Sequence, residues 1–298
     1  MRIVRTVQAM RHERAQWTGA VGLVPTMGYL HEGHLSLMRR ARAEQEKVIV
    51  SIFINPTQFG PHEDLATYPR DIERDLHLLE SLGVDAVFLP SASEMYPQGF
   101  TTYVVPTGPL VEQGEGEIRP GHYRGVATVV LKLFQIAQPQ TAYFGQKDAQ
   151  QVAVIQRMIR DFNLPIELAI MPTIREANGL AMSSRNSYLT SAERRQTAVL
   201  YRALQAGQQV CQQTMPADAQ AVRAAMQAVV ASEPEVIVSY AEIRDPETFF
   251  PLTTVQAPAL LLIAAQVGST RLIDNFALHT DGTWDTGVII AEERKADA

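Results

Sequence analysis

Residues 24–34 read Val-Pro-Thr-Met-Gly-Tyr-Leu-His-Glu-Gly-His. The apolar run Val21–Val24 that enters this segment predicts a buried strand, and the spacing of Leu35 and Met38 after it predicts a helix. The first turn of a helix leaves backbone N–H groups unpaired at the positive end of the helix dipole. The segment is therefore a predicted anion-binding turn between a strand and a helix.

Two glycines and two histidines give this turn its chemistry. Gly28 and Gly33 remove side chains that would hold a ligand away from the backbone. His31 and His34 are three residues apart, so at a helix start both imidazoles project to one side and can donate hydrogen bonds to phosphate oxygens. Taken alone, such a pair is more often solvated or a structural cap. A structural zinc site is not indicated, since Cys211 is the only cysteine and no carboxylate run has zinc-ligand spacing.

The composition is that of an average globular protein. The 298 residues allow one large or two ordinary domains, and 46% hydrophobic with 19% charged residues argues against disorder or a coiled coil. The net charge of −6 gives no general attraction to nucleic acid or anionic membrane. The sequence has a single cysteine, no apolar core of signal-peptide length at its N-terminus and no apolar run of membrane-spanning length. Together these features predict a cytoplasmic protein. The charged end from Glu292 predicts fraying.

Strand and helix patterns alternate through the first half of the chain. The β-branched run Lys47–Ile54 predicts a second buried strand, a helical pattern covers Pro69–Leu82, and Ala86–Leu89 predicts a third strand. A further strand at Thr141–Phe144 leads into a helix that begins near Ala149. This order predicts a Rossmann-like parallel sheet with helices on both faces.

A smaller C-terminal α+β domain is predicted to follow. Thr190 and Glu193 have the spacing of a capping box, which starts a new helix. Strand patterns come after it at residues 236–243 and 260–265. The predicted domains are residues 1–175 and residues 176–298.

Four polar segments lie at or just beyond predicted strand ends, at residues 27–34, 55–58, 145–151 and 182–185. The carboxyl ends of parallel strands share one edge of a sheet, so these segments predict one pocket. Its positive groups would be His31, His34, Lys147 and Arg185, and amides such as Gln150 and Gln151 would face the same crevice. Such a set fits a triphosphate and a second small organic substrate. Hydrolase triads, phosphate loops and dinucleotide fingerprints are not evident in the sequence.

Six motifs in order identify a family. They are Pro-Thr-Met-Gly-x-Leu-His-x-Gly-His at 25–34, Ser-Ile-Phe-Ile-Asn-Pro-Thr-Gln-Phe-Gly at 51–60, Arg-Pro-Gly-His-Tyr-Arg-Gly-Val-Ala-Thr-Val-Val at 119–130, Phe-Gly-Gln-Lys-Asp-Ala-Gln-Gln at 144–151, Gly-Leu-Ala-Met-Ser-Ser-Arg-Asn at 179–186 and Thr-Arg-Leu-Ile-Asp-Asn at 270–275. Through them the chain resembles the pantoate–β-alanine ligase (pantothenate synthetase) family. That family lies in the nucleotidyltransferase superfamily with the His-x-Gly-His motif, which shares its fold with class I aminoacyl-tRNA synthetases.

The resemblance implies a two-step ligation. ATP and pantoate would give pantoyl adenylate and pyrophosphate, and β-alanine would then attack the adenylate to release pantothenate and AMP. It implies ATP as co-substrate and Mg²⁺ bound through phosphate oxygens and water rather than by a protein cage, with Asp148 within reach through a water. It also implies that residues 1–175 bind nucleotide and pantoate, that residues 176–298 form a lid, and that the protein is a homodimer through the first domain. No nucleic-acid or membrane partner is expected, as the net charge already indicates.

The family's functional residues carry over onto matching positions. His34 would be the catalytic histidine, with His31 beside it and with Lys147 and Arg185 on the phosphates. Pantoate and β-alanine would be held by Gln58, Gln151 and Asn55. The expected ATP-binding set is Met27, Gly28, Tyr29, Leu30, His31, Glu32, Gly33, His34, Gly145, Gln146, Lys147, Asp148, Ile174, Met182, Ser183, Ser184 and Arg185.

Several of these positions keep a structural alternative. Asn55 is as readily a cap of its loop, Asp148 a helix cap, and Ser183 and Ser184 stabilisers of a turn. Arg119 and Arg124 are expected to be solvated loop charges. A glutamate is usual in the family at Gln146, and the change should not matter if that side chain faces solvent. The tail beyond Asn275 is longer than in many relatives, and the sequence predicts no role for it.

Two other functions stay open at this point. A non-catalytic ATP-sensing module would keep the glycines and the lysine but would have no use for the pantoate glutamines. An adenylyltransferase for a different small acid or phosphate ester would share most of the motifs. Pyrophosphate release that depends on pantoate separates both from the ligase.

Overall fold

The structure is a computed structural model that describes residues 1–290. The chain divides into two compact units, of which the first comprises residues 1–145 and 150–171 and the second comprises residues 146–149 and the chain from Pro172 onward. The domain boundary expected after residue 175 stays a prediction. Residues 291–298, which include the end expected to fray, lie outside the described residues.

The first unit is built on a parallel sheet. Its strands are β1 (Arg2–Val4), β2 (Val21–Thr26), β3 (Lys47–Ile52), β4 (Ala86–Phe88), β5 (Thr141–Gly145) and β6 (Glu167–Met171). Across the described part of the sheet their order is β1-β4-β3-β2-β5-β6, and all neighbouring pairs are parallel. The winding reverses between β2 and β5. In open α/β sheets, ligands bind beyond the carboxyl ends of the strands at such a switch point.

Helices connect these strands. They are α1 (Val7–Ala15), α2 (Glu32–Glu44), α3 (Ile72–Ser81), α4 (Ala92–Met95), α5 (Pro109–Glu112), α6 (Glu115–Ile118), α7 (His122–Ala137) and α8 (Ala149–Asp161). The helix predicted over Pro69–Leu82 is confirmed as α3, although it begins three residues later because Asp71 is its N-cap. The predicted Rossmann-like class of the fold is also confirmed.

The central strands are apolar throughout because both of their faces are covered. Val24, Val50 and Val87 pack in one core cluster with residues of α2 and α3. Their sequence neighbours Leu23 and Ile49 are fully buried as well. Successive side chains of a strand point to opposite faces of the sheet, so both faces are packed.

The second unit combines helices with antiparallel strands. Its elements are β7 (Ile174–Arg175), α9 (Ser191–Gln213), β8 (Ala217–Asp218), α10 (Ala219–Val230), β9 (Val236–Arg244), β10 (Thr254–Val255), β11 (Ala259–Val267), β12 (Thr270–Leu278), β13 (Trp284–Asp285) and β14 (Val288–Ile289). Within the described residues, the largest of its sheets has the order β13-β12-β11-β9, and β7 pairs with β14. The capping box of Thr190 and Glu193 is confirmed at the start of α9.

Strand β12 is not predicted from its sequence, although it runs beside β11 along its whole length. The motif at 270–275, read only as a family signature, is the first part of this strand. No helix within residues 1–290 has the length and apolarity that crossing a membrane requires.

A buried arginine of β7 forms an ion pair with an aspartate of β12. The guanidinium of Arg175 is fully buried and donates to both carboxylate oxygens of Asp274, at 2.6 and 2.9 Å. The rings of Tyr201 and Phe276 lie 4.7 and 5.3 Å from its central carbon. A charge buried this deeply needs such a partner, because removing one member of a buried pair costs several kcal/mol.

Candidate active site

Two histidines cap the helix that follows β2. His31 is the N-cap of α2, and its Nδ1 accepts the N–H of Gly33 at 3.2 Å. In return, the N–H of His31 donates to Nδ1 of His34 at 3.3 Å, so the two imidazoles form a reciprocal capping box. The capping role considered from the sequence is therefore real. A neutral imidazole whose Nδ1 accepts carries its proton on Nε2, so the cap also sets the tautomer of both rings.

A carboxylate of α3 holds the preceding part of the same loop. Asp75 is 1% exposed and accepts the N–H groups of Tyr29 and Leu30 at 2.6 and 2.8 Å. Tyr29 has φ +51° and Gly28 has φ +84°, and a Cβ on that glycine would lie 2.9 Å from a methyl group of Ile52. Burial raises the pKa of Asp75 above its ordinary value, although the two N–H donors pull it down. Asp75 therefore fixes a turn whose backbone is in a strained region.

Sequence reasoning missed Asp75, yet the sequence carries a signal for it. In α3 the buried positions are Asp75 and Leu79, four residues apart on one helix face. A carboxylate on the buried face of an amphipathic helix needs hydrogen-bond donors from another element. That pattern indicates a structural acceptor but does not say which loop supplies the donors.

A cavity of about 400 Å³ borders the loop that ends in the histidines. Met27, Gly28 and Tyr29 form part of its wall, and apolar residues such as Ile52 and Leu89 form much of the rest. This volume is within the range of small-molecule sites. Met27, Gly28 and Tyr29 therefore border space that a ligand can enter, whereas His31, His34 and Gln58 do not line this cavity.

Gln58 lies at the end of a short 3₁₀ turn beyond β3. Its side chain is buried, its Oε1 accepts from Asn55 Nδ2 at 3.0 Å, and its Nε2 points to the sulfur of Met27 at 3.2 Å. Asn55 caps the turn through the N–H of Thr57 and also donates to the carbonyl of Gly125. Asn55 is thus the cap that the sequence allowed, and direct contact between Asn55 and a substrate stays a prediction.

Arg119 is not a solvated loop charge, which corrects the expectation from its loop-like surroundings. Its guanidinium pairs with Glu63 and donates to the Gln58 carbonyl at 3.3 Å. His122, at the start of α7, bonds the same carbonyl through Nδ1 at 2.8 Å, while its Nε2 lies 3.2 Å from Arg119. A carbonyl can only accept, so Nδ1 carries the proton and Nε2 accepts. Arg124, by contrast, is exposed, as expected.

The two glutamines at the start of α8 have different surroundings. Gln150 is buried and holds the segment before α7, since it accepts from the N–H of Glu115 and donates to the carbonyls of Leu110 and Gln113. The expectation that Gln150 faces the crevice is therefore wrong. Gln151 is half-buried, and α8 follows β5, the strand next to β2 at the switch point. Gly145 ends β5 at the same edge of the sheet.

Lys147 lies in a 3₁₀ turn that a side chain of β12 holds. Asn275 Nδ2 donates to the carbonyls of Gln146 and Lys147 at 3.0 and 2.8 Å. Gln146 is buried and donates back to Asn275 Oδ1 at 3.2 Å. The side chain of residue 146 therefore does not face solvent, so the condition under which its change from glutamate would not matter is not met. Lys147 Nζ lies 3.6 Å from a carboxylate oxygen of the half-exposed Asp148.

The remaining predicted ATP residues in the second unit flank β7. The carbonyl of Ile174 accepts the N–H of Met182 at 2.9 Å, so the segment that begins at Met182 starts beside Ile174. Ser183 Oγ accepts the N–H of Arg185 at 3.3 Å, which is the turn-stabilising role that the sequence allowed. In the second unit, the segment that begins at Met182 thus lies beside β7, and the turn that contains Lys147 is bound to β12.

Comparison with known proteins identifies the chain. A family model described as pantoate-beta-alanine ligase matches residues 2–277. The chain belongs to the pantoate–β-alanine ligase family. A pantothenate synthetase of Roseiflexus castenholzii is 56% identical over 279 residues, which cover 94% of this chain and 100% of that protein.

Solved structures of this ligase family have the same fold. The pantothenate synthetase of Thermus thermophilus is 48% identical with a TM-score of 0.89, and the match covers 94% of this chain and 100% of the other. A Francisella tularensis pantoate-beta-alanine ligase, complexed with beta-gamma ATP and beta-alanine, is 34% identical with a TM-score of 0.76, over 93% and 97% of the two chains. The family recognised from six motifs is confirmed.

The pantoate–β-alanine ligase match ends before the last described elements. It stops at residue 277, one residue before the end of β12, so β13 and β14 lie beyond it. The longer tail noted in the sequence therefore contains ordered secondary structure.

We expect Asp75→Asn to loosen the Met27–Leu30 turn without unfolding the protein. An amide offers one acceptor oxygen where the carboxylate offers two, so one of the two N–H groups loses its acceptor. We expect the free energy of unfolding to fall by about 1–3 kcal/mol and the amides of Tyr29 and Leu30 to exchange faster. Urea titration and hydrogen exchange measure both effects. Asp71→Asn, on the exposed cap of the same helix, should change neither, and equal exchange rates in both variants would contradict the role of Asp75.

We expect His122 to make stability depend on pH. Burial, and then the charge of Arg119, lower its pKa from 6.5 to about 4. Between these two values the unfolded chain binds a proton that the folded chain does not, so stability falls as the pH drops from about 6.5 to about 4. The loss reaches about 3 kcal/mol at most. His122→Asn should flatten this part of the curve in urea titrations at a series of pH values, and curves of equal slope would refute the assignment.

Proposed function

We propose that this chain joins pantoate to β-alanine in an ATP-dependent reaction through a pantoyl-adenylate intermediate. Its membership in the pantoate–β-alanine ligase family over residues 2–277 is the observation that carries the proposal. The related Francisella tularensis enzyme holds beta-gamma ATP and beta-alanine, which are the co-substrate type and the amine that this reaction needs.

Adenylation is needed because a carboxylate is a poor acyl donor. In the first step a carboxylate oxygen of pantoate attacks the α-phosphorus of ATP, and the bond to the bridging oxygen breaks to release pyrophosphate. In the second step the amine of β-alanine attacks the acyl carbon, loses a proton, and expels AMP. The protein contributes positioning and the stabilisation of charge on the leaving phosphates.

The two capping histidines suit the first step. Because Nδ1 of each ring accepts a backbone N–H, the proton of each neutral ring is on Nε2. We assign these Nε2–H groups to phosphate oxygens, with His34 as the catalytic donor and His31 as its partner. The ring centroids are 4.0 Å apart, so we assign both Nε2–H donors to the same phosphate group. The cap holds both imidazoles in place before ATP arrives, which is what preorganised stabilisation requires.

The other ATP residues are assigned by the family motifs. Lys147 and Arg185 supply positive charge to the phosphates. Leu30 is fully buried in the core, so its part in ATP binding is through its backbone. The remaining members are Met27, Gly28, Tyr29, Glu32, Gly33, Gly145, Gln146, Asp148, Ile174, Met182, Ser183 and Ser184.

Pantoate is assigned to Gln58 and Gln151. The Gln58 side chain is oriented by Asn55, and its backbone carbonyl is held by Arg119 and His122. This support from both ends fixes the carboxamide in one place. Gln58 also serves the β-alanine side. Asn55 is assigned to the same substrates, because it caps the turn that carries Gln58.

Magnesium is expected to arrive with ATP. Mg²⁺ prefers oxygen ligands and keeps several of its waters, so phosphate oxygens and water would supply most of its ligands. The half-exposed carboxylate of Asp148 fits a water-mediated contact beside Lys147. We further propose a cytoplasmic homodimer. The single cysteine supports the compartment, and the family resemblance supports the dimer.

The test of the proposed function is the substrate dependence of pyrophosphate release. With ATP and Mg²⁺, release should require pantoate, and addition of β-alanine should yield pantothenate and AMP in equal amounts. A panel of other small carboxylic acids and phosphate esters serves as the control. ATP binding without pantoate-dependent release would indicate a sensing module, and release with a different acid would indicate another adenylyltransferase.

We expect His34→Ala to slow pyrophosphate release by about 10²–10³-fold, the usual effect of removing one preorganised donor. The lost capping bond should reduce stability by only about 1 kcal/mol, so the variant stays folded. Steady-state kinetics and thermal melting measure the two effects. His77→Ala removes an exposed histidine of α3 and should have wild-type turnover. Near-normal turnover in His34→Ala would count heavily against the assignment.

A further inference from the structure

We infer that the C-terminal segment 284–290 positions Ile174 and the Met182–Arg185 segment for ATP. The segment lies beyond the pantoate–β-alanine ligase match, which ends at residue 277. The inference rests on the proposed assignment of Ile174 and Met182–Arg185 to ATP. It makes the tail a positioning element that acts through β7.

Strand β14 is held to β7 by backbone hydrogen bonds. Val288 pairs with Ile174 in a parallel register, and Ile289 pairs with Arg175. The N–H of Val288 donates to the carbonyl of Thr173 at 2.8 Å, and the N–H of Ile290 donates to the carbonyl of Arg175 at 3.0 Å. The tail therefore binds the residues on both sides of Ile174.

The approach of the tail to β7 is too close for side chains. Gly287 has φ +84°, and a Cβ built on it would lie 2.4 Å from the Thr173 carbonyl oxygen and 2.7 Å from Arg175 Nε. Just before it, the carbonyl of Thr286 accepts from Arg175 Nε at 2.6 Å. The same guanidinium is anchored on Asp274, so the tail and β12 hold Arg175 from different directions.

The opposite edge of β7 carries the start of the Met182–Arg185 segment. The carbonyl of Ile174 accepts the N–H of Met182, and Arg175 forms an isolated antiparallel bridge with Ala181. Strand β7 thus lies between β14 and residues 181–182. A shift of β7 would move Ile174 and the start of the Met182–Arg185 segment together.

Side-chain packing does not explain why β14 lies beside β7. Val288 and Ile289 are 49% and 48% exposed, so half of each apolar side chain stays in contact with solvent. Trp284, at the start of the tail, packs against the core of the second unit, and β13 pairs with β12. From Thr286 onward, the hydrogen bonds of the tail go to the backbone and guanidinium around Ile174. Since the ligase match does not include this segment, we expect it to affect ATP binding rather than the chemical step.

The test compares two full-length variants at the same position. Val288→Pro removes the N–H that donates to Thr173, whereas Val288→Ala keeps it and shortens only the side chain. We expect Val288→Pro to raise the KM for ATP about tenfold. The kcat and the KM values for pantoate and β-alanine should change less than about twofold. Val288→Ala should behave as wild type in all four constants.

Gly287→Ala and two shortened chains keep the inference testable if the proline variant folds poorly. Gly287→Ala should raise the KM for ATP because its Cβ would push the tail away from Thr173. A chain ending at Ile290 keeps β14 and should have the wild-type KM for ATP. A chain ending at Gly282 lacks β13 and β14 and should show the same rise as Val288→Pro. Calorimetric titration with ATP should give the same ratio of dissociation constants for these chains.

Each outcome bears on either the inference or the site assignment. A lower melting temperature with unchanged kinetic constants would mean that the tail only adds stability, and it would overturn the inference. Arg185→Ala separates the two proposals. If Arg185→Ala raises the KM for ATP and the tail variants do not, the inference fails alone. If Arg185→Ala leaves the KM unchanged, the proposed ATP assignment fails.

Discussion

Buried backbone groups in irregular loops must find hydrogen-bond partners, and the candidate site depends on how this protein supplies them. In the first unit, Asp75 accepts the N–H groups of Tyr29 and Leu30 that no secondary structure pairs. In the second unit, Asn275 donates to two carbonyls of the turn that contains Lys147. The loops that carry the proposed ATP residues are thus held by buried side chains on regular elements.

The two histidines show that a structural and a functional role need not compete. The hydrogen bonds that make His31 and His34 a capping box use Nδ1 of each ring. Chemistry on phosphate would use Nε2, which the cap keeps protonated in the neutral form. A fixed tautomer and a fixed ring orientation are the properties that a preorganised donor needs. The cap is therefore part of the proposed mechanism.

Where the sequence-based expectations were wrong, a polar side chain of a motif turned inward. Gln150 is buried and donates to a backbone carbonyl of another segment. Gln146 is also buried, and it donates to the side chain of Asn275, which in turn holds the Lys147 turn. Arg119 pairs with Glu63 and supports the Gln58 turn. A motif shows which segment lies at the sheet edge, but the direction of each side chain depends on partners that are distant in sequence. Asp75 was missed for the same reason, since its donors lie 45 and 46 residues earlier.

The sequence by itself determined the class of the fold, the family and the strand-to-helix turn at residues 24–34. These follow from local periodicity, from glycine and capping preferences, and from motifs that are contiguous in the chain. Only the tertiary structure decided which polar residues support the loops and that the tail pairs with β7. Those features depend on hydrogen bonds between residues far apart in the chain, such as Gln146 and Asn275, which are 129 positions apart. No local pattern encodes such a pairing, because the energy that selects it exists only once the partner segments are packed.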